Sequence, residues 1–312
     1  MVIDFHAQGI DITSLKEPAI HIFNQIQPHG ILLVLAEPDL TILQISSNAI
    51  ATFGIAAEQM LQKPLSEFID PFQLERIKSG ITASDLDPIN PVKLWVRKKG
   101  DEYSVFDGVF HRNTEGFLIL ELEPALAQEN IPFLSFYHLA RASINRLEET
   151  SNLQEFCQII VQEIRNVTGF DRVMLYKFDN DGHGSVIAEE KLDSMEPYFG
   201  LHFPESDIPR PARKLFASNW IRLIPDSRCE PVTLVPAINS ISKEPTELTN
   251  SILRSAAPCH YEYLHNMGVG ASLTISLIKE QKLWGLIACH HQTPMYVSYE
   301  LRKACEFLGR MV

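Results

Sequence analysis

Ile31-Leu-Leu-Val-Leu35 is an unbroken apolar run too short for a helix, and Leu40-Thr-Ile-Leu-Gln-Ile45 is a second, with Glu37-Pro-Asp39 between them. The pair predicts two strands joined by a turn. A helical stretch follows around residues 48–62. Val92–Lys98, Tyr103–Arg112 and Gly116–Glu123 then alternate as strands, separated by Gly100-Asp101 and Asn113-Thr-Glu-Gly116, which predicts an antiparallel meander. Sheet, helix and sheet in that order predict an α+β domain of sensor type. The first twenty or so residues are weakly patterned and interrupted by Pro18, and Pro124 to Pro132 reads as a connection to a second domain.

The second half opens on a helical stripe of Leu153, Phe156, Cys157, Ile160, Ile164 and Val167, with Ser151 or Asn152 as cap and Gly169 as stop. Cys157 lies on that stripe and reads as core. Arg172–Phe178 is a strand ending at Asp179-Asn-Asp-Gly182, and Arg172, Met174, Tyr176 and Phe178 share one of its faces. From Pro204 to Asn250 the pattern breaks: seven prolines intervene and only Ala212–Phe216 suggests a helix. A long irregular excursion that still carries Leu223, Ile224, Val232, Leu234 and Val235 is read as functional rather than disordered. Pro258 fits the first position of a short helix and Gly268 the position past its end. Ala271–Ile278 and Leu283–His291 then form a hairpin, with Ser272, Thr274 and Ser276 on one face and Leu273, Ile275 and Leu277 on the other. Trp284, Leu286, Ala288 and His290 are expected to share a face of the second strand. A last helix opens near Ser298, carries Leu301, Cys305, Leu308 and Val312 on one stripe, and stops in mid-pattern, so the parent chain is expected to continue.

The 312 residues, 45% of them hydrophobic, suffice for two cores. A net charge of −12, from 39 acidic residues against 27 Lys plus Arg, argues against nucleic acid as a partner. No signal-like or membrane-spanning run occurs. The five cysteines include no Cys-x-x-Cys pair, which fits a reducing cytoplasm without disulfides or a structural zinc.

Cys259 is the most suggestive of them. It falls in the first turn of the 258–267 helix, where free backbone N–H groups and the helix dipole favour a thiolate. The plain alternative is a small packed hydrophobe. Arg222 and Arg254 flank the irregular segment, Ser272 and Thr274 offer hydroxyls, and His260 and His290 can reach a common space. Two cations, hydroxyl donors, aromatics and a nucleophilic thiol suit an apolar ligand with two carboxylates. The competing reading makes these a solvated sheet face and surface ion pairs. A Cys259–His260 hydrolytic dyad is disfavoured, since helix neighbours point about 100° apart, and a His290-His291 metal site because strand neighbours face opposite ways.

Ile26-Gln-Pro-His-Gly30, Phe170-Asp-Arg-Val-Met-Leu-Tyr176, Pro204-Glu-Ser-Asp-Ile-Pro209, Asn266-Met-Gly-Val-Gly-Ala-Ser272 and Leu283-Trp-Gly-Leu-Ile-Ala-Cys-His-His291 together resemble the phytochromes. The chain is similar to a cyanobacterial phytochrome of the sensor histidine kinase type, over its PAS and GAF domains only, without PHY or kinase. The resemblance implies an N-terminal segment at 1–20 threading a lasso, a PAS domain at 21–127 and a GAF domain at 128–312. Each would be an antiparallel sheet flanked by helices, joined by a figure-of-eight knot with Ile20 and Ile22 threaded through residues 226–257. It implies a bilin tied by a thioether from Cys259 to its ring A. Phycocyanobilin is the expected bilin, because no cysteine precedes Cys157, with biliverdin or phytochromobilin as alternatives. Asp207 and His260 would face the pyrrole nitrogens. Arg222, Arg254, Ser272 and Thr274 would hold the propionates, and His290 the ring D carbonyl. Tyr176, Phe203, Tyr263 and Met174 would surround ring D, although the nearest cyanobacterial pattern has Tyr where Phe203 stands. The implied function is red/far-red sensing by Z/E isomerisation at C15=C16, with no enzymatic turnover in this part. The parent would be a histidine kinase that dimerises through the terminal GAF helix and serves a response regulator. A GAF sensor of the cyclic-nucleotide type, or a PAS–GAF dimerisation scaffold, is the alternative.

Overall fold

A computed structural model describes residues 24–82, 86–98, 100, 102–125 and 152–310. Strand β1 (Gln25–Ile26) precedes the first apolar run, which forms β2 (Ile31–Ala36) antiparallel to β3 (Thr41–Ser46). The meander forms β4 (Val92–Arg97), β5 (Tyr103–Arg112) and β6 (Leu118–Pro124). In place of one helix at 48–62 there are two short ones, Ala49–Phe53 and Ala57–Met60, because Gly54 turns left-handed (φ 67°) and closes the first. A further helix, Pro71–Ile81, was not expected from the periodicity. Asp70 caps it by accepting from the Phe72 N–H; Gln73, Ile77 and Ile81 are buried and Leu74 packs on the core partly buried. Leu33, Leu35, Ile42, Leu94, Val96, Phe110, Leu118, Leu120 and Leu122 from the strands meet Phe53, Met60 and Ile77 in one core.

In the second half, Asn152 caps the helix Leu153–Thr168 by accepting from the Glu155 N–H, and Gly169 (φ 74°) ends it. Leu153, expected on the apolar stripe, is exposed at its first turn. There follow β7 (Arg172–Phe178), β8 (Gly184–Lys191), β9 (His202–Phe203), the helix Arg210–Ser218, β10 (Ile221–Ile224) and β11 (Val232–Val235). The helix Pro258–Asn266, β12 (Ala271–Lys279), β13 (Lys282–His291) and the helix Tyr299–Gly309 complete the described chain. The second sheet runs β10-β12-β13-β7-β8-β9. The stretch read as patternless thus contains two strands and a longer helix. Its four-residue strands are too short to show a period, and they serve different sheets.

β11 pairs with β3 on one side and β1 on the other, so a segment of the second half becomes a strand of the first domain's sheet. Leu234, Leu248 and Leu253 bury themselves against Ile26, Leu32, Val34 and Ile119 on the face of that sheet away from its own core. Each such side chain contributes about 1.5–3 kcal/mol of burial. Residues 24–27 are gripped between the two arms of the 226–257 segment. Leu234 N–H donates to Asn24 O (3.3 Å), Gln27 N–H to Leu253 O (2.8 Å) and Ser255 N–H to Gln25 O (2.9 Å). The residues expected to be threaded, Ile20 and Ile22, lie outside the described residues, as do the connection at 126–151 and Val312.

The second sheet has two unlike faces. Val173, Leu175, Leu273, Ile275, Leu277, Ile287 and Cys289 pack on Cys157, Ile160, Cys305 and Leu308 of the two long helices. Trp284 joins this face rather than that of Leu286, because a register shift after Leu277 inserts an extra residue and turns it over.

Candidate functional site

Residues paired across antiparallel strands share a face. Arg222 pairs with Thr274, Thr274 with Ala288 and Ala288 with Met174. One step along, Ser272 pairs with His290 and His290 with Arg172, while Leu286 pairs with Tyr176. Arg222, Ser272, Thr274, His290, Met174 and Tyr176 therefore stand on the face opposite the two long helices; alternation puts Ser272 with Thr274 and Met174 with Tyr176, and strand pairing adds Arg222. Arg254 joins them from the lasso, where it bridges Ile26. The Arg222 guanidinium donates to the carbonyls of Arg254 and Ile252.

The electrostatics of this face call for a counter-ion. Arg254 is buried, its Nε has no partner, and burial, followed by Arg222, brings its pKa down to about 9. Burial lowers Arg222 too. Among the described residues neither arginine forms an ion pair with a carboxylate, although a buried and a half-buried cation side by side are unfavourable without an anion. Two more buried polar atoms of the same face lack partners, His290 Nδ1 and the Tyr176 hydroxyl. Burial, with Arg222 adding to it, holds His260 down to about 4. Burial, then Arg172 and His260, holds His290 down to about 3. Both imidazoles are thus neutral at pH 7.

The helix Pro258–Asn266 brings His260 and Tyr263 to this face, and Cys259 lies one turn before Tyr263 on the same side of the helix. The Tyr263 hydroxyl donates to the Asp207 carboxylate at 3.4 Å, and burial pushes Tyr263 up to about 12 and Asp207 above its usual range. Cys259 is exposed, which removes the reading of it as a packed hydrophobe. Cys157, Cys289 and Cys305 are buried, with thiols pushed up by that burial, and Cys229 is half-buried. Cys259 is the one exposed thiol among the described residues.

Tyr176 packs edge-on to Phe178 (5.3 Å between centroids) and against Phe203 (5.9 Å), while Tyr198 stands edge-on to Phe203 (6.5 Å). Met174, Val186 and Leu286 complete this cluster. The sequence reading missed Tyr198, which lies in an aperiodic turn, and the ion pair behind it. Arg172 stacks 3.6 Å from the Tyr198 ring and pairs with Glu189 at 3.0 Å. Glu189 in turn accepts from the N–H groups of Tyr198 and Phe199 (both 2.9 Å). The visible signal was Arg172 itself, a cation on the same strand face as Met174 and Tyr176. The described residues hold no cluster of metal-ligating side chains and no helix long and apolar enough to cross a membrane.

Clustered cations, neutral imidazoles and aromatics on one sheet face, with an accessible thiol on the helix beside it and a second domain gripping the segment that carries Arg254, define a ligand-holding sensor module. Residues 15–125 match the PAS fold family and residues 152–312 the GAF domain family. The chain is 70% identical to cyanobacterial phytochrome A of Nostoc sp., over all of this chain and 41% of that protein. It is 57% identical to a phytochrome-like protein of Synechocystis sp., over 96% of this chain and 40% of that one. It thus spans about two-fifths of these curated relatives. The chromophore-binding domain of Stigmatella aurantiaca bacteriophytochrome, solved as a Thr-to-His mutant in the Pr state, superposes with a TM-score of 0.89 at 49% identity, covering 94% of this chain and 95% of that one. The chain belongs to the phytochrome family.

Proposed function

We propose that the chain is a photosensory PAS–GAF unit, bounded at 21–127 and 128–312, that holds a linear tetrapyrrole through a thioether on Cys259. The observation that carries this reading is the pair of arginines, Arg254 buried and Arg222 half-buried, with no carboxylate ion-pair partner on a face lined by neutral imidazoles and aromatics. The residues fit such a ligand. Arg222 and Arg254, with Ser272 and Thr274, match two propionates, because a guanidinium fork pairs with carboxylate in bidentate fashion. His260, neutral in the free pocket, and the Asp207 main-chain carbonyl face the pyrrole nitrogens. His290 offers its unpartnered Nδ1 side to the terminal ring carbonyl. Tyr176, Phe203, Tyr263 and Met174 would exclude water around that ring, and the packing of Tyr198 against Phe203 supports adding it to them. When bound, the bilin supplies red-light absorption and a Z-to-E isomerisation at C15=C16. The protein's part is to couple a turning ring to the hydrogen bonds of His290 and Asp207.

Phycocyanobilin is the proposed pigment, in keeping with cyanobacterial relatives. In the parent, PHY and histidine kinase domains would follow, acting in the cytoplasm on a response regulator. A homodimer would form through the helix Tyr299–Gly309, whose Phe307 is exposed. Zinc-induced fluorescence on a denaturing gel tests attachment: the wild-type band should fluoresce after co-expression with phycocyanobilin and Cys259→Ala should not. A fluorescent band in the variant would refute attachment there. Without PHY to close the pocket, the far-red-absorbing state of the 312-residue chain should form incompletely. A full red/far-red cycle in difference spectra would count against that.

A further inference from the structure

Strand β6 carries two glutamates on the face turned away from its own domain's core. Leu118, Leu120 and Leu122 enter that core, while Ile119, Glu121 and Glu123 alternate to the other side, where both glutamates are fully buried. A buried carboxylate is unfavourable unless it is paired and hydrogen-bonded. Glu123 meets this with Arg302 of the terminal helix and with His29 at 3.1 Å. Glu121 meets it differently. Its Oε1 accepts from the Ile252 N–H (2.9 Å) and lies 3.0 Å from His111 Nε2, and its Oε2 accepts from the Leu253 N–H (2.7 Å). His111 Nε2 is also 3.3 Å from Ser251 Oγ.

Those two N–H groups belong to the residues immediately before Arg254. The carbonyls of the same turn are taken from the opposite direction. Gln27 N–H donates to Leu253 O at 2.8 Å, and Arg222 donates to Ile252 O and Arg254 O. The fit is close: a Cβ on Gly30 would stand 2.6 Å from a Leu253 methyl. The 251–254 turn is thus held by Glu121 through its donors and by Gln27 and Arg222 through its acceptors.

We propose that Glu121 is a positioning residue for the arginine pair. By fixing this turn it sets where the Arg254 guanidinium lies and, through the two carbonyls, where Arg222 lies. The PAS domain is then part of the anion cradle and not only its neighbour. This rests on the reading of Arg222 and Arg254 as ligands of two propionates.

The test uses the whole chain with two probes, phycocyanobilin and its dimethyl ester, which keeps the tetrapyrrole but lacks both carboxylates. Attachment rates at limiting pigment are followed by red absorbance for wild type, Glu121→Ala, Glu121→Gln and Glu123→Gln. Glu121→Gln turns an NH2 group toward one of two N–H donors, so it should slow attachment of the free acid about tenfold, the size of one charge-assisted hydrogen bond. The diester should slow less than about twofold, because it makes no demand on the arginines. Glu123→Gln should change both probes alike. Because the readout is a ratio of probes, a general loss of stability cancels, and Glu121→Gln carries the test if Glu121→Ala does not fold. Equal slowing of both probes in Glu121→Gln, or none, would overturn the proposal alone. A wild-type protein that fails to favour the free acid would overturn the propionate reading and this proposal with it.

Discussion

A His290→Gln substitution should flatten the acid side of the ligand-free protein's stability profile. His290 is 7% exposed, its Nδ1 has no partner, and its folded pKa is held down to about 3 by burial, then by Arg172 and His260. In the unfolded chain the same imidazole titrates near 6.5. The folded pKa is the lower one, so as pH falls below 6.5 the unfolded state gains a proton that the folded state refuses. Stability is intact above that point and declines toward the folded pKa. Between pH 7 and pH 5 the linkage for one such group is about 2 kcal/mol. Urea unfolding at both pH values, followed by tryptophan fluorescence, measures it well, since Trp220 and Trp284 both lie in the second domain. Carboxylates titrate alike in both proteins, so the difference between the profiles isolates residue 290. The wild type should lose about 2 kcal/mol more than the variant over this interval. Parallel profiles would show that the fold accommodates a charged imidazole there, and would refute the neutral assignment.

Gly184→Ala would place a Cβ 2.0 Å from Tyr176 Cζ, and that ring is backed by Phe178 and Phe203. The overpacking should cost about 1–3 kcal/mol and shift the red band of the pigment-loaded protein, and an unchanged Tm with an unchanged spectrum would show that Tyr176 moves freely. Arg302→Ala would leave the buried Glu123 with His29 alone. Against the cost of burial, Arg302 and His29 now hold that carboxyl below the usual range. The variant should lose about 3–5 kcal/mol in thermal or urea unfolding, and a loss under about 1 kcal/mol would mean that water replaces the arginine without penalty.

Alternation made the sheet faces of β7 and β12 readable. Ser272 and Thr274 against Leu273 and Ile275 gave the polar and apolar faces of β12, and Met174 and Tyr176 gave those of β7. It failed at Trp284, because that residue is the extra one of a bulge, with Leu277 paired to Gly285 and Ile278 to Leu283, and no residue type there announces it. It also failed across 204–250. β10 and β11 are four residues each, and β11 owes its existence to a partner strand almost two hundred residues earlier in the chain. Local pattern has no access to such pairings, so the lasso came only from family resemblance.

The site was legible as a collection of residue types and illegible as a balance of charge. Two arginines, two histidines and a first-turn cysteine could be picked from the sequence, but whether the arginines were surface ion pairs could not. What decides it is the direction of the groups around them. Glu121, a carboxylate near enough to influence both arginines, spends its oxygens on backbone N–H groups of the turn before Arg254. Glu189 spends its own on Arg172 and the N–H groups of Tyr198 and Phe199. The acids close to the pocket thus build its walls, and Glu121 and Glu247 favour its cations only from a distance, without an ion pair. An excess of buried positive charge is unfavourable in the free protein and becomes favourable when a dianion arrives. Burial is the main cause that keeps His260 and His290 neutral, with Arg222 adding to it at His260 and Arg172, then His260, at His290. A ligand that neutralises Arg222 and Arg254 should therefore raise the affinity of His260 for a proton. Charge neutralisation by the ligand's carboxylates and the protonation of the imidazole beside its nitrogens are then two readings of one electrostatic balance.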